Sequence, residues 1–374
     1  MKGLFRVRTL TDAMSQEQDN FLLLRLVAAS LVIYGHGPAI SGDTTHPDLF
    51  TWLGWGIYSG DLAVNAFFVI SGFMITGSYL RRRHLPGFLW ARFLRIYPAY
   101  AFCLLGSAFL LGAAFTELPL RDYLHAPQVM HYVAKNLELG RYLAYHLPGV
   151  FTGNPMDGAV NGSIWTLPAE VRMYLWVAIA GSLGILGRRY LAITLIVALF
   201  VWGLLRPSNI PLVPLPDFIH LAAYFAVGAF CFVNRQWVPV GWPVALVAIA
   251  LAWLLRDSQL YPFAMGAALV SFVFAFAYAI PWHGYNRFDD YSYGVYLWGF
   301  PIQQAVAHQW PGMSSPANAL ISWPMACLLA MFSWHVVEKP ALSLKSLPRK
   351  IYLRVKPTAH REIRGVAADG RGTM

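Results

Sequence analysis

Apolar stretches close to 20 residues long recur along nearly the whole 374-residue chain. A helix of about that length crosses the ~30 Å hydrocarbon core of a bilayer. Ten such stretches can be read, at 21–39, 61–80, 96–115, 164–185, 190–206, 217–234, 239–255, 259–280, 291–309 and 319–337. Lipid offers the backbone no hydrogen-bond partners, so runs of this length span as helices. The expected fold is therefore all-α, a polytopic transmembrane helix bundle of about ten spans. Composition agrees. Hydrophobic types make up 57% of the chain and charged residues 12%, the latter about half the usual ~25%. That balance excludes a disordered chain, a coiled coil and a disulfide scaffold. Cys103, Cys231 and Cys327 all fall inside apolar stretches and are expected as small core residues.

The net charge of +10 would suggest nucleic acid in a soluble protein. In a membrane protein the distribution of positive charge matters instead, because basic loops stay in the cytoplasm. With the N-terminus inside, twenty-one of the 28 Lys and Arg residues fall on the cytoplasmic side and five outside, while Arg25 and Arg172 lie within spans. Both termini are therefore expected in the cytoplasm, and no nucleic-acid partner is expected. The first apolar run contains Arg25 and lacks a small-residue cleavage site, so it reads as a retained span. The chain divides into a cytoplasmic segment 1–20, a membrane domain 21–340 and a basic cytoplasmic tail 341–374. A long polar loop occupies 116–163. No period of 20–50 residues is present.

Ionisable groups inside spans cost about 2.5–3.5 kcal/mol each on insertion scales, and they mark functional positions. Arg25 and His36 stand eleven residues apart on the first span, hence on one helix face. Arg25 lies near the cytoplasmic end and His36 roughly 22 Å in. The fourth span opens with Trp165 and carries Glu170 about 7 Å from its outer start, which predicts Glu170 and His36 in the same outer half. Glu170 and Arg172, at i and i+2, point to different faces and are not expected to pair. The loop after the second span carries Arg81, Arg82 and Arg83, then Arg92 and Arg95 at i,i+3. Guanidinium forks at that level suit phosphate oxygens.

These residues lie in a series of motifs. Arg25 and His36 are separated by ten residues; FFVISGFMI occupies 67–75, and RFLRIYPAY holds Arg92 and Arg95. SIWTLPAEVRMYLW occupies 163–176, YSYGVYLWGFPI 291–302 and VEKP 337–340. In this order the motifs resemble the acyltransferase type 3 family of integral-membrane acyltransferases, which includes O-antigen and nodulation-factor acetyltransferases. The likeness covers 21–340. It departs at Thr166, Pro168 and Ala169, where relatives usually have Ser, Ser and Val, at Arg172, where Gln is common, and at Gly299, where many relatives carry a histidine.

The resemblance implies an acyl-CoA-dependent O-acetyltransferase of the bacterial cytoplasmic (inner) membrane. It would use acetyl-CoA or another acyl-CoA as donor, with a hydroxyl of an envelope or exported glycan, or of a lipid-linked saccharide, as acceptor; membrane lipids would surround it. His36 is expected as general base, since its ordinary pKa suits that work, with Glu170 orienting it. Arg25, Arg92 and Arg95 would hold the donor. Asp61, Asn65 and Trp165 are the candidates for the acceptor site. No metal is expected, because no histidine spacing suits a metal site. Ser71, Gly72 and Gly77 read as helix-packing residues, Tyr291, Ser292 and Tyr293 as interfacial anchors, and His335 and Glu338 as structuring the inner end of the last span. The sequon Asn161-Gly162-Ser163 is discounted because it abuts a motif helix. A transporter or flippase for an anionic or glycolipid substrate would use the same buried charges, and a non-catalytic scaffold would need none of them.

Overall fold

The computed structural model describes residues 6–15, 18–205, 217–280 and 283–347. Residues 1–5, Arg206 and the tail beyond 347 lie outside them. Among the described residues, a helix occupies each of the ten expected stretches: α1 (Phe21–Ser41), α2 (Ser59–Arg82), α3 (Leu85–Gly106), α4 (Leu167–Ser182), α5 (Arg189–Leu205), α6 (Asp217–Val233), α7 (Trp242–Leu254), α8 (Tyr261–Ala279), α9 (Ser292–Gln309) and α10 (Ser315–Ser333). Five are long and apolar enough to cross a bilayer: α1, α2, α3 as extended to Phe115, α8, and α10 as extended to Ser346. α7, with 13 residues, reaches only about 20 Å. α9 falls short for a different reason. Its face toward the bundle is also its back, and nearly every residue from Ser292 to Ala307 is buried, so it carries Ser292, Gln303 and Gln304 where a lipid-facing helix would carry aliphatic side chains.

Local chemistry sets the helix ends. α1 stops at Gly42, which adopts the left-handed conformation (φ 66°) that glycine takes without strain. His84 caps α3 by accepting a hydrogen bond from the Gly87 N–H, and Pro86 in the first turn needs no donor. Two π turns interrupt the regular hydrogen bonding, at Ser107–Leu111 after α3 and at Trp334–Glu338 after α10. Such turns recur at functional positions because the extra residue re-aims a side chain.

α2 packs most extensively against α6, and α9 against α1 and α10. The α2–α6 contact is close because Gly72 meets the Phe225 carbonyl and Gly228 meets the Val69 carbonyl, the small-residue packing expected of Gly72 and Gly77. The 116–163 segment contains short helices at Leu120–His125 and Pro127–Leu137 and buries Tyr123, Tyr132 and Phe151. Asn161 is fully buried and donates to the Leu297 carbonyl at 3.0 Å, so its sequon is inaccessible. A two-residue strand, β1 (Arg8–Thr9), pairs antiparallel with β2 (Pro239–Val240) and ties the N-terminal segment to the α6–α7 turn. The three cysteines are free thiols.

Candidate functional site

A narrow cavity lies where α1, α2, α4 and α9 meet. It is walled by Arg25; by Val64, Phe67, Phe68 and Ser71; by Thr166, Leu167 and Glu170; and by Ser292, Tyr293 and Tyr296. On α2 the wall runs from Val64 to Ser71, about 10 Å along the axis. It is mostly apolar, with a cation, a carboxylate and hydroxyls at one end, a composition suited to a slender amphipathic ligand.

Four charged residues gather at the Arg25 end. The Arg25 guanidinium donates to Asp290 Oδ2 at 2.6 Å, and Arg95 donates to the same oxygen at 2.5 Å. Asp290 Oδ1 accepts from the Ser292 backbone N–H (3.3 Å) and hydroxyl (2.6 Å). Arg95 also lies 3.6 Å from Glu338 Oε2, a carboxylate that the π turn after α10 aims inward. Burial would raise the Asp290 carboxyl, but the two guanidiniums and Ser292 hold it well below the usual carboxylate range. Asp290 was not singled out from the sequence. The signal was the buried Arg25 itself, since a cation inside a bundle needs a counter-charge. Tyr293, expected as an interfacial anchor, is interior instead. Its hydroxyl donates to the Ile96 carbonyl and its ring lies under Arg95.

Glu170 accepts a hydrogen bond from the Tyr174 hydroxyl and a longer one, 3.5 Å, from Ser71. Ser71 thus lines the cavity, although it was read as a packing residue. Arg92 sits over the Tyr174 and Phe88 rings, each 5.9 Å from the centroid, and its Nε is buried without a partner. Arg172 does not pair with Glu170. It donates to the Leu139 and Pro168 carbonyls, as the i,i+2 spacing requires.

His36 lies elsewhere. Gly35 abuts Ser59 and Gly60 in the first turn of α2, whereas Glu170 meets Ser71, roughly 17 Å further along that helix. The expected pairing of His36 with Glu170 is therefore not made. The His36 ring instead packs edge-on against Phe300 (5.3 Å between centroids), and its Nδ1 is buried with no hydrogen-bond partner. The depth estimate for Glu170 failed because α4 does not begin at the bundle's surface. Asn161, Ser163 and Ile164, which lead into it, are themselves buried.

Two of the expected acceptor residues, Asp61 and Trp165, lie near His220. Asp61, in the first turn of α2, also lies near Tyr58. Burial and the carboxylates of Asp61 and Asp48 push the Tyr58 phenol up to about 12, so it remains a proton donor. Trp165 stacks on Phe218 at 6.3 Å, and Asn65 is 5% exposed with its Oδ1 unpartnered. Among the described residues, no three His, Cys, Asp or Glu side chains are placed to share a metal ion.

Known proteins match over nearly the same region. Residues 19–337 match the family described as Acyltransferase domain. An O-acetyl transferase of Shigella phage Sf6 is 28% identical over 335 residues, covering 86% of this chain and 95% of the relative. Nodulation protein 10 of Rhizobium leguminosarum bv. viciae is 25% identical over 368 residues, covering 89% and 95%. No solved structure matches. With five helices long and apolar enough to cross a membrane and a family match that runs from the start of α1 into the π turn after α10, this membrane protein belongs to the acyltransferase type 3 family.

Proposed function

We propose that the protein transfers an acyl group, acetyl in the first instance, from cytosolic acyl-CoA to a hydroxyl of a cell-envelope or exported glycan, within the bacterial cytoplasmic membrane. One observation carries this reading. The cavity extends from Arg25 to Val64, about one helical turn short of the level at which Gly35, next to His36, abuts Ser59 and Gly60. A pantetheine arm entering at the arginine end would bring its thioester toward His36. The phage relative is an O-acetyl transferase, which supports acetyl as the group moved.

In this reading Arg92, with Arg25 and Arg95, holds the donor phosphates. Arg92 contributes most, because the other two already share Asp290. Glu170 stands on the path of the donor arm, where its carboxylate accepts hydrogen bonds from the arm's amide N–H groups. His36 is the base. It takes the proton of the acceptor hydroxyl as that oxygen attacks the thioester carbonyl. When the carbon–sulfur bond breaks, the proton passes to the departing thiolate and free coenzyme A leaves. Asp61, Asn65 and Trp165 line the acceptor end.

The test is labelled acetyl-CoA given to the purified protein in detergent together with deacylated envelope glycan. Label on the glycan supports the transfer, which needs no sealed membrane. Absence of transfer, with uptake appearing only in sealed vesicles, would replace it with transport.

A further inference from the structure

The acceptor end holds a second imidazole that the reading above leaves without a role. α2 and α6 run parallel. Gly72 meets the backbone of Phe225 and Ala229, and five residues on Gly77 meets the Phe232 ring, so the contacts advance together along both helices. Continuing that register toward the start of each helix brings His220 to the level of Asn65, one turn from Asp61. Side-chain contacts agree with the register. Asp61 and His220 are near enough to interact electrostatically, and the His220 ring lies 6.3 Å from the Trp165 ring.

This cluster continues the cavity wall. Asp61, Val64, Phe68 and Ser71 stand at i, i+3, i+7 and i+10, hence on one face of α2, and the last three line the cavity. Trp165 directly precedes Thr166 and Leu167, which wall it on the other side. His220 is exposed, while Asn65 presents a buried, unpartnered amide oxygen. A carboxylate, an imidazole and an amide oxygen within a turn of one another suit hydroxyl groups, which both donate and accept. The segment 40–60, which leads into α2, contains no Lys or Arg, and Asp48 and Asp61 would repel an anionic sugar.

We propose that His220, with Asp61, Asn65 and Trp165, forms the acceptor subsite and takes an uncharged saccharide through two adjacent hydroxyls. The proposal rests on the acyl-transfer reading. Its test uses the purified full-length protein, labelled acetyl-CoA and titrated deacylated envelope glycan, with neutral oligosaccharides and uronic-acid oligosaccharides as competitors. His220→Ala removes an exposed side chain, and Asp61→Asn keeps the shape of the carboxylate. Each should raise the acceptor KM about tenfold or more, the loss of one or two substrate hydrogen bonds, while the donor KM stays within about twofold. Neutral competitors should inhibit and uronic-acid competitors should not. An unchanged acceptor KM in both variants overturns the subsite, and equal inhibition by uronic acids overturns the substrate class. If the unmodified protein transfers no label at all, the acyl-transfer reading itself fails.

Discussion

Asp290 and Arg25 stand 265 positions apart in sequence and meet at 2.6 Å, with Arg95 sharing the same carboxylate oxygen at 2.5 Å. One carboxylate thus joins the first helix, the paired-arginine helix and the entry to α9. Removing its charge leaves two guanidiniums facing each other in a largely enclosed place. Asp290→Asn should cost about 3–5 kcal/mol, the usual penalty for breaking a buried pair from one side. The readout is thermal unfolding in detergent. Asp290→Glu should recover part of the loss, and an unchanged melting temperature for Asp290→Asn would mean that the pair does not hold the helices together.

The same carboxyl sets a pH window. Its folded-state pKa is depressed, so its contribution is fully present above the ordinary aspartate value near ~3.9 and is lost as pH falls through the lower folded value. The stability gap between the natural protein and Asp290→Asn should be constant above about pH 5 and narrow below about pH 4. Melting curves from pH 3 to 7 measure it. A gap that closes instead as pH rises toward 7 would assign the dependence to another group.

His36→Ala should lower acyl transfer by about 10²–10⁴, the usual worth of a general base, with normal membrane insertion. Rapid-quench measurement of glycan-bound label gives the rate. Transfer at the normal rate would remove His36 from the chemistry.

Arg92 and Arg95 should separate. Arg92, whose Nε has no partner, should on replacement by Ala raise the donor KM by about 10-fold or more with little loss of stability, the loss expected for a charge-assisted hydrogen bond. Arg95→Ala should instead lower the melting temperature, because it takes the cation from Glu338 and leaves Asp290 with Arg25 alone. Identical behaviour of the two variants would contradict the division of labour between them.

Gly72→Leu tests the α2–α6 contact. Any side chain there strikes the Phe225 carbonyl, and overpacking typically costs about 1–3 kcal/mol. The variant should show a lowered melting temperature, read by the same thermal unfolding; an unaltered one would mean that the two helices can separate without loss.

The helices were legible in the sequence because each apolar run needs only its own residues to be recognised. The site was legible in parts for the same reason. Arg25, Glu170, Asp61 and Trp165 each announce themselves as a polar or aromatic group at an apolar boundary, and the structure places Arg25 and Glu170 in one cavity wall. What depends on distant pairing was hidden. Asp290 precedes an aromatic helix with no local sign that its partners lie on α1 and α3. His220 sits at the start of an ordinary apolar helix and becomes notable only when α6 aligns with α2. The separation of His36 from Glu170 was hidden because the residues before α4 are buried, which a count from the first apolar residue cannot register.

The π turn at Trp334–Glu338 divides the last long helix into two segments that are out of phase by a single residue. Genetically, this makes the five codons of that turn unlike their neighbours. The wide turn already absorbs one residue beyond a regular α-helical turn; a further residue inserted ahead of Glu338 has no such turn to absorb it and would swing Glu338 about 100° around the axis, away from Arg95. A change in the length of the tail beyond Ser346 would leave that alignment untouched. Insertions should therefore be tolerated in the tail and selected against within the turn.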